Sequence, residues 1–160
     1  VVDVLCICAL PLPTNIKKLY QKKMIQAGEI FTHQFSYTQE QVNLFAQVSG
    51  DTNPLHTDPE YAKGSIFGRC IMHGYLGGCV FTKIFGTLFY ADGNIYMSQS
   101  MKFMKPMFAD QMYEARLEVL EVDYAKNRAR IQTNIVDLAS GEITTTGEAM
   151  LLNRTQFIQA

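Results

Sequence analysis

Apolar positions follow two periods in this chain, and the change comes near residue 90. In Thr38–Gly50, Val42, Phe45, Ala46 and Ser49 fall on one helical face. Thr38 with Gln41 forms a capping box, and Gly50 is the stop. A second short helix is expected over Pro59–Ala62, with Asp58 as its cap and Pro59 at its first position. After GSIFGRCIMHG comes YLGGCVFTKIFGTLFY, residues 75–90, an almost uniformly apolar segment of roughly four turns. A helix apolar all round is expected to be buried all round.

Alternation marks the strands. Glu29–Tyr37 reads as a first strand. In the second half, Ile95, Met97, Gln99, Met101 and Phe103 share one face. Tyr113, Ala115, Leu117 and Val119 stand opposite Glu114, Arg116 and Glu118, and Ala129, Ile131, Thr133 and Ile135 opposite Arg130, Gln132 and Asn134. Glu142–Leu152 closes the series, with turns expected at 123–127 and 139–141. One strand, then helices, then four strands predicts an α+β fold, an antiparallel sheet wrapped around the apolar helix.

Composition narrows the function. The 160 residues (18.1 kDa) make one domain with a sizeable core, and 48% hydrophobic against 18% charged residues is ordinary for a globular protein. A net charge of −1, with no basic run beyond Lys17-Lys18 and Lys22-Lys23, argues against nucleic acid as the partner. No apolar run reaches the ~18 residues of a membrane-spanning helix. The N-terminal VVDVLCICALPLP carries Asp3 and lacks a basic flank before it, so a secretory signal fits poorly. Met24 is expected to be the functional start, with residues 1–23 an upstream extension and 24–160 the domain; a loosely docked arm is the alternative. Cys6, Cys8, Cys70 and Cys79 lack metal-site spacing and read as free thiols in a reducing compartment, the cytoplasm.

The chemistry gathers at SGDTNPLHTDPEYA, residues 49–62. Asp51-x-Asn53 begins like a calcium loop, but Leu55, His56 and Ala62 stand where an oxygen ligand, a glycine and a bidentate Glu belong. One His and one carboxylate are too few for a transition metal, so no metal and no cofactor are expected. A simple polar turn accounts for Asn53-Pro54. A second cluster, His73-Gly74 at the start of the apolar helix, favours a site instead. A helix N-terminus offers unpaired N–H groups, and a glycine there admits a close ligand oxygen. Carboxylate, imidazole and such an N–H suffice for acting on a carbonyl compound.

Asp51-Thr52-Asn53-Pro54-Leu55-His56-Thr57-Asp58-Pro59-Glu60-Tyr61-Ala62, then Ile71-Met72-His73-Gly74, then Ile95-Tyr96 with Gln99-Ser100, Phe103 and Pro106, resembles the MaoC-like (R)-specific enoyl-CoA hydratases and dehydratases. The likeness covers about residues 28–153. It implies a hotdog fold, usually dimeric, and syn hydration of trans-2-enoyl thioesters of CoA or acyl carrier protein in fatty-acid metabolism, with the reverse dehydration. It also implies Asp51 and His56 as the catalytic pair and Gly74 as the oxyanion donor. Thr82 falls where relatives often carry a Ser that supports the Asp.

Other residues carry plainer expectations. Asn53 fixes the loop through the backbone, and His73 is a structural helix-entry residue. His33 is given no role. Phe81, Phe85 and Phe89 are spaced a turn apart; they are either core or, at Phe85, the end of an acyl tunnel. A hotdog thioesterase or a non-catalytic acyl-binding partner subunit are the rival functions. Intact Asp51, His56 and Gly74 weigh against the second.

Overall fold

The structure, a computed structural model, describes residues 24–158. The proposed extension, residues 1–23, lies outside them. Strand β1 (Ile30–Phe35) leads into helix α1 (Gln39–Ser49), whose Thr38–Gln41 capping box forms in both directions. Two short helices follow, α2 (Pro54–Thr57) and α3 (Pro59–Lys63), and then α4 (Gly74–Lys83). A π-helical turn, Ile84–Leu88, extends α4 and is closed by Phe89 N–H donating to Ile84 O at 2.8 Å. Strands β2 (Ile95–Gln99), β3 (Lys102–Phe103), β4 (Tyr113–Asp123), β5 (Arg128–Asp137) and β6 (Ile143–Leu152) complete the chain.

All pairings are antiparallel, in the order β1-β4-β5-β6-β2 with β3 also on β6. Register sets the core in rows. Phe31, Leu117, Thr133 and Gly147 lie across one another, as do His33, Ala115, Ile135 and Thr145. The inward row of β4 is the expected one: Tyr113, Ala115, Leu117 and Val119 are all at most 1% exposed. The sheet curls over α4 and buries Val80, Phe81, Ile84 and Phe85. Each such side chain contributes about 1.5–3 kcal/mol of burial. This is the hotdog arrangement.

Two expectations are corrected. The apolar helix is not buried all round: Tyr75 is 68% exposed, and Cys79, Thr82 and Lys83 are exposed too. One chain's sheet covers only one side of it. The predicted common strand face also breaks, between Met97 and Gln99. Between Tyr96 and Ser98 the register shifts by a bulge, so Gln99, opposite buried Ala149, joins Tyr96, opposite buried Leu151, while Ile95 and Met97 stay exposed. A period-two pattern cannot register an extra residue.

Candidate active site

The polar stretch 49–62 is more than a simple turn: its own side chains shape it and start a short helix. Asn53 Oδ1 accepts from Leu55 N–H at 3.0 Å and so caps α2, with Pro54 at its first position. His56 is thereby placed on a helical turn, with its side chain only 12% exposed. The backbone of Asn53 donates to Asp51 Oδ1 at 3.3 Å, and Asp51 N–H donates to Ser49 Oγ at 3.2 Å. These local bonds occupy one carboxylate oxygen and leave the second outside them.

A segment far along the chain completes the arrangement. Ile71 N–H donates to Leu55 O at 3.1 Å, and His56 Nδ1 lies 2.8 Å from Ile71 O. A carbonyl only accepts, so Nδ1 carries a hydrogen and Nε2 is the nitrogen free to exchange protons. That Nε2 is 3.8 Å from Asp51 Oδ2. Two residues after Ile71, His73 brings its ring face to face with His56, centroids 3.7 Å apart, and its Nε2 donates to the Asp51 carbonyl at 3.0 Å.

Gly74 follows as the first residue of α4, so the helix itself does not use its N–H. Gly74 and His56 line one cavity of about 370 Å³, together with Phe103, Met104, Lys105 and Thr145. A larger cavity, about 560 Å³, lies along the exposed side of α4 and holds Tyr75, Cys79, Thr82, Tyr96 and Gln99. The smaller one matters for the chemistry, because the imidazole and the helix start both face it. The larger contains neither.

Two sequence-predicted positions, Thr82 and Phe85, fall elsewhere. Thr82 makes no hydrogen bond to Asp51 among the described residues; it lines the larger cavity, and His73 holds the Asp51 loop instead. Phe85 lines neither cavity. It is 1% exposed, edge-on to Tyr96 with centroids 4.9 Å apart, so it backs the larger cavity through that ring. Lys105 pairs with Glu142 at 3.1 Å while lining the smaller cavity.

His73 was undervalued by the sequence. Nothing within its own helix signals that it meets Asp51, 22 residues back. Its arrival gives the site three potential metal ligands, Asp51, His56 and His73. The donor set does not suit a metal, however: His73 Nε2 is committed as a donor to a carbonyl and has no lone pair to offer. Burial pushes the pKa of Tyr96, on the wall of the larger cavity, up to about 12, so its phenol stays neutral there.

Such a pair beside a helix terminus is suited to adding water across, or removing it from, a polarised double bond. The comparisons with known proteins agree. A model of the MaoC like domain matches residues 21–140. An (R)-specific enoyl-CoA hydratase of Aeromonas caviae is 36% identical over 111 residues, 69% of this chain and 82% of that protein. A mitochondrial 3-hydroxyacyl-[acyl-carrier-protein] dehydratase of Arabidopsis thaliana is 29% identical over 114 residues, 71% of this chain and 68% of its own length. The R-hydratase PhaJ1 of Pseudomonas aeruginosa, solved unliganded, superposes with a TM-score of 0.76 at 33% identity, over 81% of this chain and 82% of that one. The chain belongs to the MaoC-like dehydratase family, with the hotdog fold.

Proposed function

We propose that this protein hydrates trans-2-enoyl thioesters to (R)-3-hydroxyacyl thioesters and catalyses the reverse dehydration, as a hydro-lyase of fatty-acid metabolism. The observation that carries the reading is the 3.8 Å approach of His56 Nε2 to Asp51 Oδ2, beside a cavity that His56 shares with the first residue of a helix. The thioester oxygen takes the Gly74 N–H. That draws electrons from C3 and stabilises the enolate-like transition state; one such donor contributes about 3–4 kcal/mol in other enzymes.

Water sits between the two side chains. One member of the pair takes a proton from it as its oxygen bonds to C3, and the other gives a proton to C2. The carbon–carbon π bond and a water O–H bond break, C–O and C–H bonds form on one face, and the pair keeps its proton count. His56 works through Nε2 because Nδ1 is tied to Ile71.

The acyl carrier is CoA or acyl carrier protein, and the working form is a homodimer. Exposed Ile95 and Met97 on β2, an edge strand among the described residues, support the second point, because pairing with a second copy would cover them.

The test is crotonyl-CoA with wild type, Asp51→Asn and His56→Ala, following the enone absorbance and free thiol together. Hydration without thiol release is expected in wild type, with at least about a hundredfold less turnover in each variant. Thiol release would make the protein a thioesterase. Full turnover in either variant would remove that residue from the pair.

A further inference from the structure

His73 does little for helix α4 that a simpler residue would not do as well. It stands at the N-cap yet makes no capping bond with its side chain, and its Nδ1 is buried with no partner among the described residues. A buried nitrogen without a hydrogen bond is a cost to the fold and calls for a compensating role. A phenyl ring would fill the same space without it.

What His73 does do lies on its other nitrogen and on its faces. Nε2–H donates to the Asp51 carbonyl at 3.0 Å and stands 3.9 Å from Asp51 Oδ2. One face covers His56 at 3.7 Å, with the planes 28° apart; Phe45 lies 5.1 Å away. The ring is 4% exposed. Asp51, by contrast, has a side chain 55% exposed on the loop after Gly50. Its other tethers, to Ser49 and Asn53, are longer and come from within two residues. Among the described residues, only His73 ties that loop by a hydrogen bond to the helix start that presents Gly74. For His56, the bond from Nδ1 to Ile71 fixes one direction, and the stack fixes the ring plane.

We propose that His73 is a positioning residue for the hydration reaction, one buried side chain that sets Asp51 through its Nε2–H and His56 through its ring face. The inference rests on the function proposed above. Acid–base pairs work only when held to within about 0.5 Å, and a 1 Å misplacement can cost about a hundredfold in rate. A neutral donor–acceptor bond suits this task, since it holds Asp51 by the backbone and leaves the carboxylate free for water.

The experiment compares His73→Phe, which keeps a ring over His56 but loses the donor, with His73→Gln, whose amide nitrogen reaches about where Nε2 sits. Expected for His73→Phe is a melting temperature equal to or above wild type, kcat on crotonyl-CoA down about a hundredfold, and KM within about threefold. His73→Gln should restore kcat to within about tenfold of wild type. Should His73→Phe not fold, His73→Gln against His73→Met carries the same comparison of amide with no amide. Near-wild-type kcat without the donor, or equal losses with and without it, overturns the proposal while the hydratase reading stands. A wild type inactive on crotonyl-CoA overturns both.

Discussion

The ring of Phe103 lies against the backbone of Gly74, so near that a Cβ on Gly74 would stand 2.7 Å from Phe103 Cε1. Both residues line the smaller cavity. The glycine therefore has a packing reason as well as the chemical one: helix start and sheet approach closely enough to make a narrow slot. Phe103 is 47% exposed, so its ring has somewhere to go.

Gly74→Ala should accordingly cost the site more than the fold. Overpacking costs about 1–3 kcal/mol, offset by up to about 1 kcal/mol from the better helix former. The displaced ring enters the cavity. Turnover on crotonyl-CoA should fall at least about tenfold with melting lowered by only a few degrees, and Phe103→Leu in the same chain should recover part of the rate. Unchanged turnover would show that the slot does not hold substrate.

Gly147 presents the opposite balance. A Cβ there would stand 1.8 Å from the carbonyl oxygen of Ser100, where the chain crosses from β2 to β3. Backbone cannot swing aside like a ring. Ser100 is also fixed there, its N–H donating to Glu148 O at 2.9 Å and its Oγ accepting from Glu148 N–H at 3.0 Å. Gly147→Ala should destabilise by about 3 kcal/mol or more, read by urea unfolding. A change below 1 kcal/mol would mean that the crossing is adjustable.

His33 should make part of the fold's acid sensitivity. It faces Ala115 on the inner side of β1, its Nε2 is buried without a partner, and burial, then the Lys83 charge, hold its pKa below the usual 6.5. Well above pH 6.5 neither folded nor unfolded chain is protonated there, and the contribution is whole. As pH falls through 6.5 to the depressed native value, the unfolded chain gains the proton first and stability is lost. Between pH 8 and 5.5 the wild type should lose more melting temperature than His33→Gln. Parallel curves would contradict this.

The free edge of β2 gives a test of assembly. Ile95→Lys and Met97→Glu put charges on the surface proposed to meet a second copy. Sedimentation at micromolar concentration should move from twice the chain mass to 18.1 kDa. A wild type that is active as a monomer would refute the homodimer.

Local signals were fully legible in the amino-acid order. The Thr38–Gln41 capping box, the Asp58-Pro59 helix start and the inward rows of β4 and β5 are written in adjacent residues, and each formed as read. Motif spacing likewise brought Asp51, His56 and Gly74 into view together, because loop and helix start are each short, continuous pieces. The exposed side of α4 was not legible. Hydropathy records what a residue prefers, while its burial depends on how far a single sheet reaches around the helix. The bulge at Met97 escaped for a related reason: it is fixed by where β6 offers partners, 50 residues on. His73 is the clearest case. By itself it is a histidine before a glycine; only the pairing of Leu55 with Ile71 carries it onto His56 and Asp51. Composition and period determine which side chains are available, and the closure of distant backbone decides which of them meet.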